Sequence, residues 1–113
     1  MVKVEITEYL FKKIEKTFSK AEANTIIDLL EALEKNPYKG KSLTNVSEFV
    51  IKELKYKKYR FYFITDGFML KFGTKEELTD LLIKFVEMSE KKDQEKAITQ
   101  VKEAIRKIGF DEF

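Results

Sequence analysis

The sequence predicts an α+β protein in which a helical hairpin packs on a mostly antiparallel sheet and a further helix ends the chain. Apolar residues recur at helical spacing in two regions, one near the start of the chain and one at its end. Between them, stretches that alternate apolar and polar residues are separated by short turns, as in consecutive β-strands. Strands joined in this way pair antiparallel, and helices segregated from them indicate α+β.

The N-terminal third is predicted to form one strand and two helices. The strand is VKVEIT, in which valine and isoleucine alternate with charged residues. Thr7 can cap the first helix, and Ser19 with Glu22 forms the capping-box pattern S-K-A-E that opens the second. Asn36-Pro37 ends the second helix, because the residue before a proline is disfavoured in the α conformation.

The middle of the chain is predicted to form a loop followed by three or four strands. The loop is PYKGKSLTNVS, and the first two strands are EFVIKELK and YRFYFIT. Asp66-Gly67 is a tight-turn signal, so FMLKFGT is expected to fold back as the third strand before a break at TKEE. DLLIKFVEM is the fourth strand, although its apolar run also fits the start of a helix. The final helix has an apolar stripe from Ala97 to Ile108 and stops at Gly109.

Composition limits the classes of function. With 113 residues, 43% of them hydrophobic, the chain is expected to form a single domain, residues 1–113, with one core. The absence of cysteine and histidine excludes disulfides, thiol catalysis and histidine acid–base chemistry, and no metal or cofactor is expected. No membrane span or signal peptide is predicted, so a cytoplasmic protein is expected. Enrichment in lysine and glutamate fits a protein from a thermophile.

Positive charge is concentrated in the stretch IKELKYKKYRFYF, residues 51–63. Residues 51–60 carry five basic side chains and one acidic one, a sum of +4, whereas the whole chain carries only +2. Interleaved tyrosine and basic residues can bind single-stranded nucleic acid, because the cations neutralise phosphates and the rings stack on bases. A lysine-rich hairpin is also common as a solvated edge that prevents aggregation, so both interpretations stay open.

Strand alternation divides this stretch into two sides. Phe61 and Phe63 are expected to face the helices, whereas Arg60 and Tyr62 are expected to face outward. Lys52 falls on the core side, which indicates a bulge or a snorkelling side chain. On the side of Arg60, the preceding strand is expected to place Ile51, Glu53 and Lys55.

Three stretches, in the order of the predicted elements, carry a family resemblance. The helical hairpin ends near KNPYKGKSL, KELKYKKYRFYFI combines an E-L-K strand with a Y-R strand, and KFVEMSEKKDQEKAI joins the last strand to a helix. Together they resemble the RelE/ParE toxin superfamily, and within it the HigB-type, phage-derived branch. The similarity spans most of residues 3–105, and the E-L-K and Y-R pair is its most specific part.

The resemblance implies the toxin half of a toxin–antitoxin pair. Many members of the superfamily are ribosome-dependent mRNA endoribonucleases, and each is held inactive by an antitoxin that wraps around it. The partners implied here are therefore a cognate antitoxin protein, the ribosome and mRNA, with no membrane and no metal. The ParE branch inhibits DNA gyrase instead.

The resemblance also implies site residues. Arg60 matches the strand arginine that contacts the scissile phosphate in ribonuclease members, and Glu53 and Lys55 match the E-L-R strand with lysine in place of arginine. These three are the predicted catalytic residues. The predicted RNA-binding residues are Lys52, Tyr56, Lys57, Lys58, Tyr62, Lys91 and Lys92.

Two alternatives accompany the ribonuclease hypothesis. Ile51, Glu87 and Met88 stand where ribonuclease members often carry basic residues, which favours a non-enzymatic or degenerate member, including a ParE-like inhibitor of a protein target. A plain RNA-binding module is the other alternative.

Overall fold

The α+β prediction is confirmed by the computed structural model, which describes residues 3–36, 39–46, 49–66 and 82–108. Five strands and three helices lie within these ranges. They are β1 (Lys3–Ile6), α1 (Glu8–Thr17), α2 (Lys20–Glu31), β2 (Lys41–Val46), β3 (Phe49–Tyr56), β4 (Tyr59–Asp66), β5 (Leu82–Glu90) and α3 (Gln94–Ile108). A 3-10 turn follows α2 at Ala32–Glu34, and another precedes α3 at Lys91–Asp93.

The five strands form one mixed sheet in the order β1-β5-β4-β3-β2. Strands β2 to β5 pair antiparallel with their neighbours, whereas β1 runs parallel to β5. The β1 pairing ends at Ile6 opposite Phe85, so β1 covers only the first part of β5. No helix in the described part of the chain is long and apolar enough to cross a membrane.

The strand predictions hold for β1, β3, β4 and β5, and the helical alternative for DLLIKFVEM is wrong. The predicted loop PYKGKSLTNVS is corrected, because its residues Lys41–Val46 form β2. The register between β2 and β3 shifts between Ser42 and Thr44, and such a bulge interrupts the alternation that marks a strand. The predicted strand FMLKFGT and the break at TKEE lie outside the described residues.

Side-chain caps begin both helices of the hairpin. The Thr7 hydroxyl accepts a backbone N–H of the first turn of α1 at 3.3 Å, and the Ser19 hydroxyl accepts the Glu22 N–H at 3.2 Å. The Glu22 carboxylate points to the sheet, where it accepts hydrogen bonds from the Tyr56 hydroxyl and Lys57 Nζ, both at 2.8 Å. The start of α2 is thereby attached to the β3–β4 turn.

Apolar side chains pack on both faces of the sheet. On the face covered by α1 and α2, the buried residues are Leu10, Ile14, Ala23, Ile26, Leu30, Leu33, Leu54, Phe61, Phe63, Ile83, Phe85 and Met88. On the opposite face they are Val46, Ile51, Ile64, Val86, Val101 and Ile105. Because Val101 and Ile105 belong to α3, this helix covers the face on which Arg60 and Tyr62 were expected to point outward.

Candidate functional site

A group of polar side chains lies between α3 and one end of the sheet. We call it the polar cluster, and its members are Glu53, Arg60, Tyr62, Ser89 and Gln94. The strand register explains most of it: Glu53 lies opposite Tyr62, and Arg60 lies between Lys55 and Ser89. Gln94 is the first residue of α3 and reaches down to the sheet.

Hydrogen bonds and one ion pair join the polar cluster. Gln94 Nε2 donates to Glu53 Oε2, and Arg60 Nε lies 3.7 Å from the same oxygen. The Tyr62 hydroxyl and Ser89 Oγ are 2.7 Å apart. At the rim, Lys91 Nζ donates to Gln94 Oε1 at 2.6 Å. The cluster thus brings a carboxylate, a guanidinium and a phenol together at the start of α3.

The expected outward exposure of Arg60 and Tyr62 is wrong. The side chains of Arg60 and Glu53 are 12% and 7% exposed, and Tyr62 is completely buried. The Arg60 guanidinium also donates to the backbone carbonyls of Lys57 and Tyr59, at 3.2 and 3.0 Å. Burial, more than any other influence, raises the pKa of Tyr62, so its phenol stays protonated at neutral pH.

The exposed basic residues near the cluster are Lys55, Lys58, Lys91 and Lys92. Lys58 Nζ forms an ion pair of 3.0 Å with Glu90, which Lys92 also approaches at 3.7 Å. The hydrogen bond from Lys58 makes the largest contribution to lowering the pKa of Glu90. Lys55, opposite Arg60, has its exposed side chain available for an anionic ligand.

The structure separates the other three predicted RNA-binding residues from this group. Lys52 is only 6% exposed, and its Nζ lies 5.8 Å from the centroid of the Phe63 ring, on the side of the helical hairpin. Tyr56 and Lys57 both bind Glu22 of α2. These three residues therefore do not share the surface of Arg60. Lys52 and Tyr56 point to the opposite face of β3, and Lys57 lies in the β3–β4 turn.

Ser89 and Gln94 belong to the cluster but were not predicted as site residues. Ser89 lies in a strand directly opposite Arg60, and this pairing depends on the register of β4 and β5. Gln94 lies in a mixed-charge stretch, and such a pattern is typical of the solvated first turn of a helix. Neither residue carries a signal in the sequence that distinguishes it from a surface position.

Comparison with models of protein families, with curated proteins and with solved structures found no match. Within the described ranges, no group of three acidic, cysteine or histidine side chains is placed to hold a metal ion. The polar cluster and its rim offer three kinds of chemistry. These are charge stabilisation by Arg60, proton transfer by Glu53 or a lysine, and anion contact by the lysines at its rim.

Proposed function

We propose that the protein is a RelE/ParE-type toxin of the HigB-like branch, a metal-independent endoribonuclease that acts in the cytoplasm on ribosome-bound mRNA. A cognate antitoxin would hold it inactive. The observation that supports the proposal is the polar cluster, a nearly buried Glu53–Arg60 pair bordered by exposed lysines. Burying an ion pair is costly, so a nearly buried pair beside exposed cations is a candidate functional site.

The proposed reaction needs no group beyond those in the cluster and at its rim. The RNA 2′-oxygen attacks the phosphorus while the bond from phosphorus to the 5′-oxygen breaks, which leaves a cyclic phosphate and a free 5′-hydroxyl. The Glu53 carboxylate accepts the 2′-hydroxyl proton, Lys55 contacts the phosphate as a cation, and Arg60 stabilises the charge of the phosphorane. Lys91 or Lys92 donates a proton to the departing 5′-oxygen.

Substrate must compete with the contacts that Arg60 makes within the protein. A phosphate that reaches its guanidinium would replace the carbonyls of Lys57 and Tyr59 or the carboxylate of Glu53. Lys55 and Lys91 are more exposed and would meet the phosphate backbone first. In the proposal the ribosome orients the mRNA, which allows a site with few catalytic groups to suffice.

Substitution of Arg60 tests the proposal, and the chain offers a matched control in Arg106, its other arginine, which is exposed on α3. We expect the wild-type protein and Arg106→Ala to arrest growth and to cut mRNA at the ribosomal A site. Arg60→Ala should lower the cleavage rate by about 100-fold or more. Circular dichroism checks that Arg60→Ala folds, and Lys55→Ala gives a second, exposed test position. Absence of cleavage by the wild-type protein would refute the proposed ribonuclease activity.

A non-enzymatic inhibitor of a protein target is the second candidate, favoured by the internal contacts of Arg60. A guanidinium already bound to two carbonyls and a carboxylate is typical of a structural role. In that case Arg60→Ala, if folded, would keep its toxicity. Inhibition of DNA supercoiling by gyrase, without mRNA cleavage, would identify the ParE-like activity.

A further inference from the structure

Among the described residues, no strand pairs with the outer edge of β5 over the second half of the strand. Pairing with β1 ends at Phe85, whose carbonyl accepts the Thr7 N–H at 3.0 Å. From Val86 to Glu90, no other strand among the described residues pairs with this edge. An exposed strand edge offers unpaired backbone groups to any extended chain that can reach it.

Side chains take the place of a neighbouring strand at Met88. The Met88 N–H donates to Glu87 Oε1 at 2.9 Å, and the Met88 carbonyl accepts from Lys13 Nζ at 3.1 Å. Lys13 and Glu87 are themselves paired at 2.6 Å. We call Lys13 and Glu87 the edge plug, since together they satisfy the donor and the acceptor that a paired strand would satisfy.

A groove of about 490 Å³ runs along this edge. Tyr9 and Lys13 of α1 are on one wall, Lys96 and Gln100 of α3 are on the other, and Met88 is at its floor. The groove therefore follows the free part of β5 and is bounded by a helix on each side. This is the setting in which a peptide can add to a sheet and place alternate side chains against the two walls.

We propose that this groove binds an extended peptide segment of a protein partner, which adds to β5 as a further strand. One residue of the peptide would exchange both backbone hydrogen bonds with Met88, as in an antiparallel pair. Its N–H would replace Lys13 Nζ on the Met88 carbonyl, and its carbonyl would replace Glu87. Lys13 can move away without disturbing the core, because its side chain is 37% exposed. The Glu87 side chain is 11% exposed and must rotate away from the Met88 N–H.

Charge favours a peptide over nucleic acid and indicates one feature of the peptide. Glu87 and Glu90 line the groove but are paired with Lys13 and Lys58. Asp93 also lines it, has no ion pair among the described residues, and would repel a phosphate. Lys96 is exposed and has no ion-pair partner among the described residues. We therefore expect the peptide to carry one acidic side chain on the side that faces α3. The inference does not depend on the proposed function.

The test uses the full-length protein labelled with nitrogen-15 and a capped peptide of about six residues, alternating threonine and valine around one aspartate. Binding should shift the Met88 amide resonance and slow its hydrogen exchange. N-methylation of the peptide amide that donates to Met88 should weaken binding by about tenfold. A peptide with asparagine in place of aspartate measures the charge contribution, which Lys96→Ala should abolish.

Lys13→Ala removes half of the edge plug and should tighten peptide binding a few-fold. Lys12→Ala is the matched control on α1, since Lys12 is exposed and pairs with Glu8 at 3.0 Å. Equal affinity for the methylated peptide, or no shift at Met88 up to about 1 mM peptide, would overturn the proposal. So would a single-stranded RNA oligonucleotide that shifts Met88 and Lys96 more than the peptides do. No ribosome is present, so this result is independent of mRNA cleavage.

Discussion

The Lys52 side chain is buried against the aromatic core. Its side chain lies over the Phe63 ring, and its partner strand β2 shifts register close to it, between Ser42 and Thr44. Burial lowers the pKa of Lys52 from its ordinary value of 10.5. Because the ammonium is less well solvated in the folded protein than in the unfolded chain, Lys52 reduces stability wherever it is charged.

Lys52→Met should therefore raise the free energy of unfolding by about 1 kcal/mol at neutral pH. Above the folded-state pKa, Lys52 is neutral in the folded protein while the unfolded chain still binds the proton until about pH 10.5. Wild-type stability should thus rise through this interval, and the advantage of methionine should shrink. Urea unfolding from pH 7 to about 10.5 measures both.

Lys55→Met is the control, because Lys55 is exposed on the same strand and points to the opposite face. We expect it to change stability by no more than about 0.5 kcal/mol. A gain for Lys52→Met that does not vary with pH would contradict the argument from desolvation. A loss would show that the contact with Phe63 outweighs the cost of burial.

Strand alternation predicted the side of the sheet on which each of these residues lies, but not how deep it lies. Arg60 and Tyr62 are opposite to Phe61 and Phe63, as expected. Their burial depends on α3, which is distant in sequence and whose apolar stripe does not reveal which surface it covers. The sequence could therefore indicate the candidate residues of the site, but not that the site is closed.

At the scale of elements, α3 is attached to the sheet by polar contacts at its start and apolar contacts along its length. Gln94 donates to the Glu53 carboxylate and accepts from Lys91. Farther along, Val101 and Ile105 pack in the second core. Gln94 is thus the residue that joins the first turn of α3 to the polar cluster.

Gln94→Ala should lower the free energy of unfolding by about 1–3 kcal/mol, because it leaves a nearly buried carboxylate without one of its donors. It should also speed hydrogen exchange in the first turn of α3 more than in the rest of that helix. Gln100→Ala, an exposed position of α3, is the control and should change stability by at most about 0.5 kcal/mol. Equal effects of the two substitutions would show that Gln94 does not anchor the helix.

The elements that the sequence predicted well are those with an uninterrupted period. Strands β3 and β4 alternate regularly and are joined by a two-residue turn, so their pairing could be predicted. Strand β2 could not be predicted from the sequence, because it is rich in polar residues and its pairing with β3 contains a register shift. The parallel pairing of β1 with β5 brings together the first and last described strands in chain order. Their paired residues are about 80 positions apart, and local patterns do not encode such a contact.

At the scale of the whole molecule, the sheet has a core on each face and strands that contribute to both. Ile26 of α2 is completely buried in the first core, and Ile105 of α3 is 5% exposed in the second. Strands β3, β4 and β5 send alternate residues into the two cores. Loss of either core should therefore destabilise the same strands, and the described parts of the chain should unfold together.

Ile26→Ala and Ile105→Ala should each lower the free energy of unfolding by about 2–5 kcal/mol, since each leaves a cavity in a packed core. Because the two residues lie on opposite faces and share no core cluster, the double variant should show nearly the sum of the two losses. Thr25→Ala, an exposed neighbour of Ile26, is the control. Helical circular dichroism and tyrosine fluorescence should report one coincident transition in every variant. Two separated transitions in Ile105→Ala would instead mean that α3 and its core unfold independently of the rest of the sheet.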